Sequence, residues 1–156
     1  AGGEKCLAPL GYSCDTRRRY AGALGSTDHV LTVLAVTDVE QMVAFYEAVF
    51  GWPRRQDFPI YVAVELPGGR GLAFYERGSF GANTGQVPAA AAPGELTRTE
   101  LYLRCEDLDA DIQRLQAAGA RELRPRTRKD WGDDVAYYAD PEGNVIAGAQ
   151  RMPPAS

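Results

Sequence analysis

Few groups in this chain are equipped for chemistry. The sequence holds one histidine, His29, and three cysteines, Cys6, Cys14 and Cys105. A single histidine excludes a two-histidine zinc protease site, and the cysteine spacing offers neither a CxxC pair nor a zinc finger. Cys6 and Cys14 are near enough in sequence to pair, but three cysteines make no disulfide framework. Reduced structural thiols fit a cytoplasmic protein. Chemistry therefore rests on carboxylates, tyrosines, arginines or a bound ligand, and Glu100 is the carboxylate to watch. In TELYLRC (99–105), alternation puts Glu100, Tyr102 and Arg104 on one face and Leu101, Leu103 and Cys105 on the other. With the apolar face against a helix, Glu100 points to the opposite side. A carboxylate there is costly unless paired. Either Arg104 or another arginine pairs it, or it meets a ligand, and burial would raise its pKa and suit it to general-base work. Glu100 is thus the candidate catalytic residue.

The elements that must position these groups are legible in the spacing. HVLTVLAV (29–36) is apolar and β-branched, a strand. Asp38 caps a helix along which Val39, Met42, Val43, Tyr46, Val49 and Phe50 form one apolar stripe, and Gly51 stops it. A polar stretch follows from Pro53. IYVAVEL (60–66) and GLAFYER (71–77) then form a hairpin about the PGGRG turn. Residues 78–96 are rich in Gly, Ala and Pro and read as a linker. The order then repeats. A strand at 99–105 precedes a helix capped by Asp107, with Leu108, Ile112 and Leu115 inward and Gly119 at its end. An edge strand interrupted by Pro125, a strand at 133–140, the PEGN turn and a last strand at 144–150 complete the chain.

The repeated β-α-β-β-β order makes module one 28–77 and module two 97–150, joined by the linker into one domain over 28–150. Neither half can bury its own sheet face alone. The expected fold class is α+β, two βαβββ modules forming a curved mixed sheet of about eight strands with a concave cleft for a ligand. Residues 1–27 are an N-terminal extension or arm, whose Arg17, Arg18 and Arg19 read as a solvated charge run, and 151–156 are a tail. With 156 residues, 45% apolar and 24% charged, the chain is sized and composed as one folded domain. Its net charge of −4 argues against nucleic acid as main partner. No apolar run approaches the ~18 residues of a membrane helix, and no signal segment opens the chain.

TDVEQMVAFYEAVFGW, ELYLRCEDLDADIQRLQAAGA and WGDDVAYYADPEGNVIAGAQ together resemble the vicinal oxygen chelate superfamily, which includes glyoxalases, bleomycin resistance proteins and dioxygenases. The DPEGN turn, following WG and leading into a short apolar strand, is the most specific piece. The resemblance covers about 28–150 and implies the two-module fold. In the enzymes of that superfamily, four strands each supply one His, Glu or Gln to a divalent metal. Register by motif carries those positions onto Leu31, Ala73, Glu100 and Ala147, of which only Glu100 can bind a cation. A lone carboxylate does not hold a metal that needs three or more protein donors. His29 lies two residues before the first position and reads as a strand-start histidine. This departure from the superfamily's pattern leads to the expectation of no metal and no cofactor, and argues against metal-dependent glyoxalase or dioxygenase chemistry.

The cavity itself remains. Alternation turns Leu31, Val33, Tyr61, Ala63, Glu65, Ala73, Tyr75, Val145 and Ala147 inward beside Glu100 and Tyr102, while Trp52, Phe58 and Trp131 lie on connections able to close the mouth. Small floors and aromatic walls suit a planar or aromatic ligand. The expected function is metal-free binding of a small molecule in the manner of the bleomycin resistance proteins, sequestering a drug or toxin. The alternative is an enzyme, lyase, isomerase or dioxygenase-like, using Glu100 as acid or base. The resemblance also implies a homodimer, because related two-module chains complete their clefts with a second subunit.

Overall fold

The structure, a computed structural model, describes residues 27–154. The expected arm, with Cys6, Cys14 and the arginine run, lies outside them, apart from its last residue. Module one comprises β1 (Leu31–Val36), α1 (Val39–Phe50), β2 (Arg54–Phe58), β3 (Tyr61–Glu65) and β4 (Gly71–Glu76). Helix α2 (Arg77–Thr84) follows it. Module two comprises β5 (Glu100–Arg104), α3 (Leu108–Ala117), β6 (Arg121–Arg128), β7 (Asp133–Ala139) and β8 (Val145–Arg151).

Each module makes its own four-stranded sheet, in the orders β1-β4-β3-β2 and β5-β8-β7-β6. In each, the first strand runs parallel to the last and the other pairings are antiparallel. The single eight-stranded sheet expected from the repeat is therefore two separate sheets within the chain. The helices are the reason. α1 and α3 pack on their own sheets and on each other. Leu34, Val36, Val62, Phe74, Met42, Tyr46, Leu108, Leu115, Tyr138 and Ile146, drawn from both modules, form one buried core. Both sheets thus turn their helix-covered faces toward a shared interior.

The helix signals hold at atomic detail. Asp38 accepts a hydrogen bond from Gln41 N at 2.9 Å, and Asp107 accepts one from Ala110 N at 3.0 Å. Gly51 ends α1 in the left-handed conformation, φ 66°, and returns its N–H to the Glu47 carbonyl. That reversal carries Trp52 back over the helix. Its ring stacks on Phe50 at 4.5 Å between centroids and on Tyr46 at 6.0 Å, and it is buried in the core.

Two segments differ from expectation. The linker begins with α2, masked in sequence by its glycines. Glu76 caps the helix through Gly78 N and Ser79 N, and Val87 packs so close to Gly81 that an added Cβ would come within 2.5 Å of it. Packing here overrides poor propensity. The polar RRQDF run is β2, an edge strand paired with β3 on one side only, which explains its lack of apolar alternation.

The modules are also tied by polar groups. Glu142, in the DPEGN turn, accepts hydrogen bonds from Thr37 N and Asp38 N at 2.7 and 2.9 Å. Buried Tyr46 donates to Asp140 at 2.9 Å. Burial pushes the Tyr46 phenol well above its ordinary pKa and raises the Asp140 carboxyl. Gly143 has φ 88°, and the Glu95 carbonyl would sit 2.5 Å from a Cβ there, so this turn requires glycine.

Candidate functional site

Alternation places the ligand-facing candidates on the sheet faces away from the helices. In module one, Leu34, Val36, Val62, Val64, Leu72 and Phe74 join the core. Leu31, Val33, Tyr61, Ala63, Ala73 and Tyr75 consequently occupy the opposite, open face. Ala73 is fully buried and Ala63 nearly so, making a floor that larger side chains would fill. Leu31 is half-buried, and Val33 is 36% exposed despite being apolar. Tyr61 and Tyr75 meet edge to face at 5.3 Å, Tyr75 meets Phe80 likewise at 6.2 Å, and Asn83 donates to the Tyr75 hydroxyl at 3.2 Å. Phe58, Pro59, Ile60, Tyr61, Tyr75 and Asn83 line a cavity of about 530 Å³. Phe58 and Ile60 are 58% and 48% exposed, an unusual display of large apolar surface.

The open face of module two is built differently. Val135, Ala147 and Ala149 form its buried floor, with Tyr137 packed against them. Tyr102 sits across from Ala147 in the β5–β8 register, and Glu100 across from Val145. Asp133, wholly buried at the start of β7, organises the rest. It accepts a hydrogen bond from the Tyr102 hydroxyl at 2.7 Å and from Arg104 at 3.0 Å, and Arg151 Nε lies 3.2 Å from its other oxygen. Trp131 Nε1 donates to the same Tyr102 hydroxyl at 3.0 Å, and Arg151 donates to the Trp131 carbonyl at 2.9 Å. The network locks two rings, 40% and 37% exposed, into one aromatic ledge. Burial and the adjacent Asp133 raise the Tyr102 pKa, so its phenol stays protonated and serves as a hydrogen-bonding group.

Several expectations are corrected by this geometry. Trp52 closes no mouth, because it is buried in the core. Glu100 lies on the expected face but is exposed, so the burial invoked for it is absent, and Arg104 pairs with Asp133 instead. The buried carboxylate of this face is Asp133, not among the residues expected from sequence. Alternation backward from Val135 and Tyr137 would have found it. Phe58, Tyr61 and Tyr75 come together, as do Tyr102, Trp131 and Ala147, but the two groups lie on separate faces.

The four metal positions do not fit a metal. Leu31, Ala73 and Ala147 offer no donor atom, and Glu100 stands alone. Among the described residues no three His, Cys, Asp or Glu side chains group as a metal site. His29 is exposed and its Nε2 lies 3.1 Å from Thr32 Oγ1. Cys105 approaches the Ala149 carbonyl, and burial pushes its thiol up to about 12, so it is inert near neutrality. A second cavity, about 580 Å³, lies at the module junction between α1, the linker and the DPEGN turn. None of the expected site residues lines it.

Paired βαβββ modules, each with a helix-covered face and an open face, define the class of fold to which this chain belongs. The sequence matches the Glyoxalase/Bleomycin resistance protein/Dioxygenase superfamily over residues 26–147, and the chain belongs to that family. Its fold is similar to that of a glyoxalase-related enzyme from Fulvimarina pelagi, with a TM-score of 0.70 and 22% identity over 81% of this chain and 89% of the other. A glyoxalase/bleomycin resistance protein/dioxygenase from Nocardioides gives a TM-score of 0.69 and 20% identity over 89% and 93% of the two chains. A lactoylglutathione lyase from Agrobacterium tumefaciens gives 0.61 and 21%, over 81% and 95%. At these identities the likeness speaks to fold alone. No helix among the described residues is long and apolar enough to cross a membrane.

Proposed function

We propose that this chain is a metal-free small-molecule-binding protein of the glyoxalase/bleomycin resistance type, which sequesters an aromatic or planar compound as drug and toxin resistance proteins do. The observation that carries this reading is the open face of module one. There Phe58, Pro59, Ile60, Tyr61, Tyr75 and Asn83 line a cavity of about 530 Å³. Such walls bind flat ligands by burial and ring stacking, worth ~0.5–1.5 kcal/mol per ring contact beyond area. The donor-poor metal positions support the same reading, since the chemistry of the family's enzymes needs a metal there. Two open faces pointing away from one shared core support a homodimer. In it, module one of one copy closes over module two of the second copy, and ligand is held between them.

Native mass spectrometry of freshly purified protein tests the reading, because it reports subunit count, bound mass and metal together. A dimer carrying an organic mass and no metal is expected. A stoichiometric, tightly held metal ion would overturn it. A second reading, an enzyme using Glu100 as acid or base, draws on one observation: the Glu100 charge reaches Tyr137 on the same face and, after burial, helps raise its pKa. Glu100→Gln distinguishes the two. Sequestration survives the substitution, whereas an enzyme loses turnover.

A further inference from the structure

The two open faces differ in charge as well as in position, and the difference bears on the ligand. Module one offers rings, two tyrosine hydroxyls and the Asn83 amide around its cavity. Module two presents Arg104, Arg151 and Lys129 on or beside its ledge, against two carboxylates, Asp133 and Glu100. Asp133 is buried and engaged by both arginines. Lys129 stands apart from that pairing. Its ammonium lies 5.2 Å from the centre of the Tyr137 ring and 5.9 Å from that of Trp131. Cation–π contact holds it there, half-buried, and among the described residues no carboxylate lies at ion-pair distance. Glu100, the remaining acid of the face, likewise has no ion-pair partner among the described residues.

We infer that the ligand is an aromatic carboxylate, its ring system stacked on Trp131 and Tyr102 and its negative charge received by Lys129. The proposal rests on the binding reading above and narrows it. An ammonium held over two rings is partly desolvated. It gains most from an anion delivered by a ligand that also covers those rings. A neutral aromatic would cover the cation without compensating it, which costs free energy. Arg104 strengthens the preference, because only one of its terminal nitrogens is committed to Asp133.

The test uses matched pairs of probes: benzoate and benzamide, 2-naphthoate and 2-naphthamide, and the corresponding anthracene acid and amide. Titration calorimetry at low salt compares the parent protein with Lys129→Gln and with Arg70→Gln, the same charge change in the exposed β3–β4 turn. In the parent, at least one acid binds about fivefold or more tighter than its amide, the size expected of one partly screened charge contact. That preference falls to about twofold or less in Lys129→Gln, persists in Arg70→Gln, and leaves amide affinity unchanged. Acid and amide binding alike in the parent would overturn the charge preference while leaving the binding reading intact. A preference untouched by Lys129→Gln would overturn the assignment to this lysine. Failure of every pair to bind would sink the binding reading and this proposal with it.

Discussion

At the scale of single residues, Asp133 contributes most that alternation alone did not bring out. A fully buried carboxylate survives only with strong partners, and here two guanidiniums and a phenol supply them. Both guanidiniums are substantially exposed, 46% and 36%, so solvent screens their share of the energy. Asp133→Asn should therefore destabilise by only about 1–3 kcal/mol. It should also loosen the Tyr102 and Trp131 rings together. Urea unfolding read by tryptophan fluorescence measures the first effect, and weaker binding of a planar probe measures the second. An unchanged midpoint with unchanged binding would show that Asp133 positions nothing. Alternation gives the face of Glu100, but which carboxylate on that face is buried depends on the strands beside it.

Among the elements, the contacts that fasten helices to sheets are polar at their edges. Arg54, on β2, donates to Glu47 at 2.6 and 3.0 Å and to Glu40 at 2.8 Å, tying α1 to the sheet edge. Hydrogen bonding from Arg54 holds the Glu47 carboxyl below its ordinary 4.5. A depressed carboxyl adds stability above its ordinary pKa, and that stability is lost as pH falls through the folded value. Asp140 works in the opposite sense. Raised by burial from 3.8, it removes stability as pH rises from its ordinary value to its folded one. Arg54→Leu should flatten the acid limb between about pH 5 and about 3, and cost ~0.5–1 kcal/mol near neutrality because Glu40 is well exposed and Glu47 partly so. Urea midpoints taken across that range decide it. A variant profile running parallel to the parent's would mean the ion pairs are not linked to folding.

For the whole molecule, the packing of the two helices against each other decides where the open faces end up. They lie outside the shared core, and Val33, Phe58, Ile60, Tyr102 and Trp131 remain exposed on or beside them. Apolar display of this extent is characteristic of surfaces that are covered in use. If a second copy covers them, Val33→Arg should shift the sedimentation profile from dimer toward monomer at micromolar concentration. It should weaken planar-ligand binding in parallel and leave secondary structure unchanged. A parent protein that sediments as a monomer with full binding would refute the shared-cleft arrangement.

Local patterning is enough to place the two-module α+β order, the helices capped by Asp38 and Asp107, and most strands. Cap chemistry and period-two alternation act over a few residues, and a chain carries that information in its own order. The poverty of donors at Leu31, Ala73 and Ala147 was equally a matter of residue identity. Tertiary structure alone decided that the two sheets stay separate, that Trp52 enters the core, that glycine-laden 77–84 winds into a helix, and that Asp133 rather than Glu100 becomes the buried acid. Each of those outcomes depends on which distant side chains arrive at a site and exclude water from it. Burial and charge pairing are properties of the assembled neighbourhood, and no spacing within a single segment encodes them.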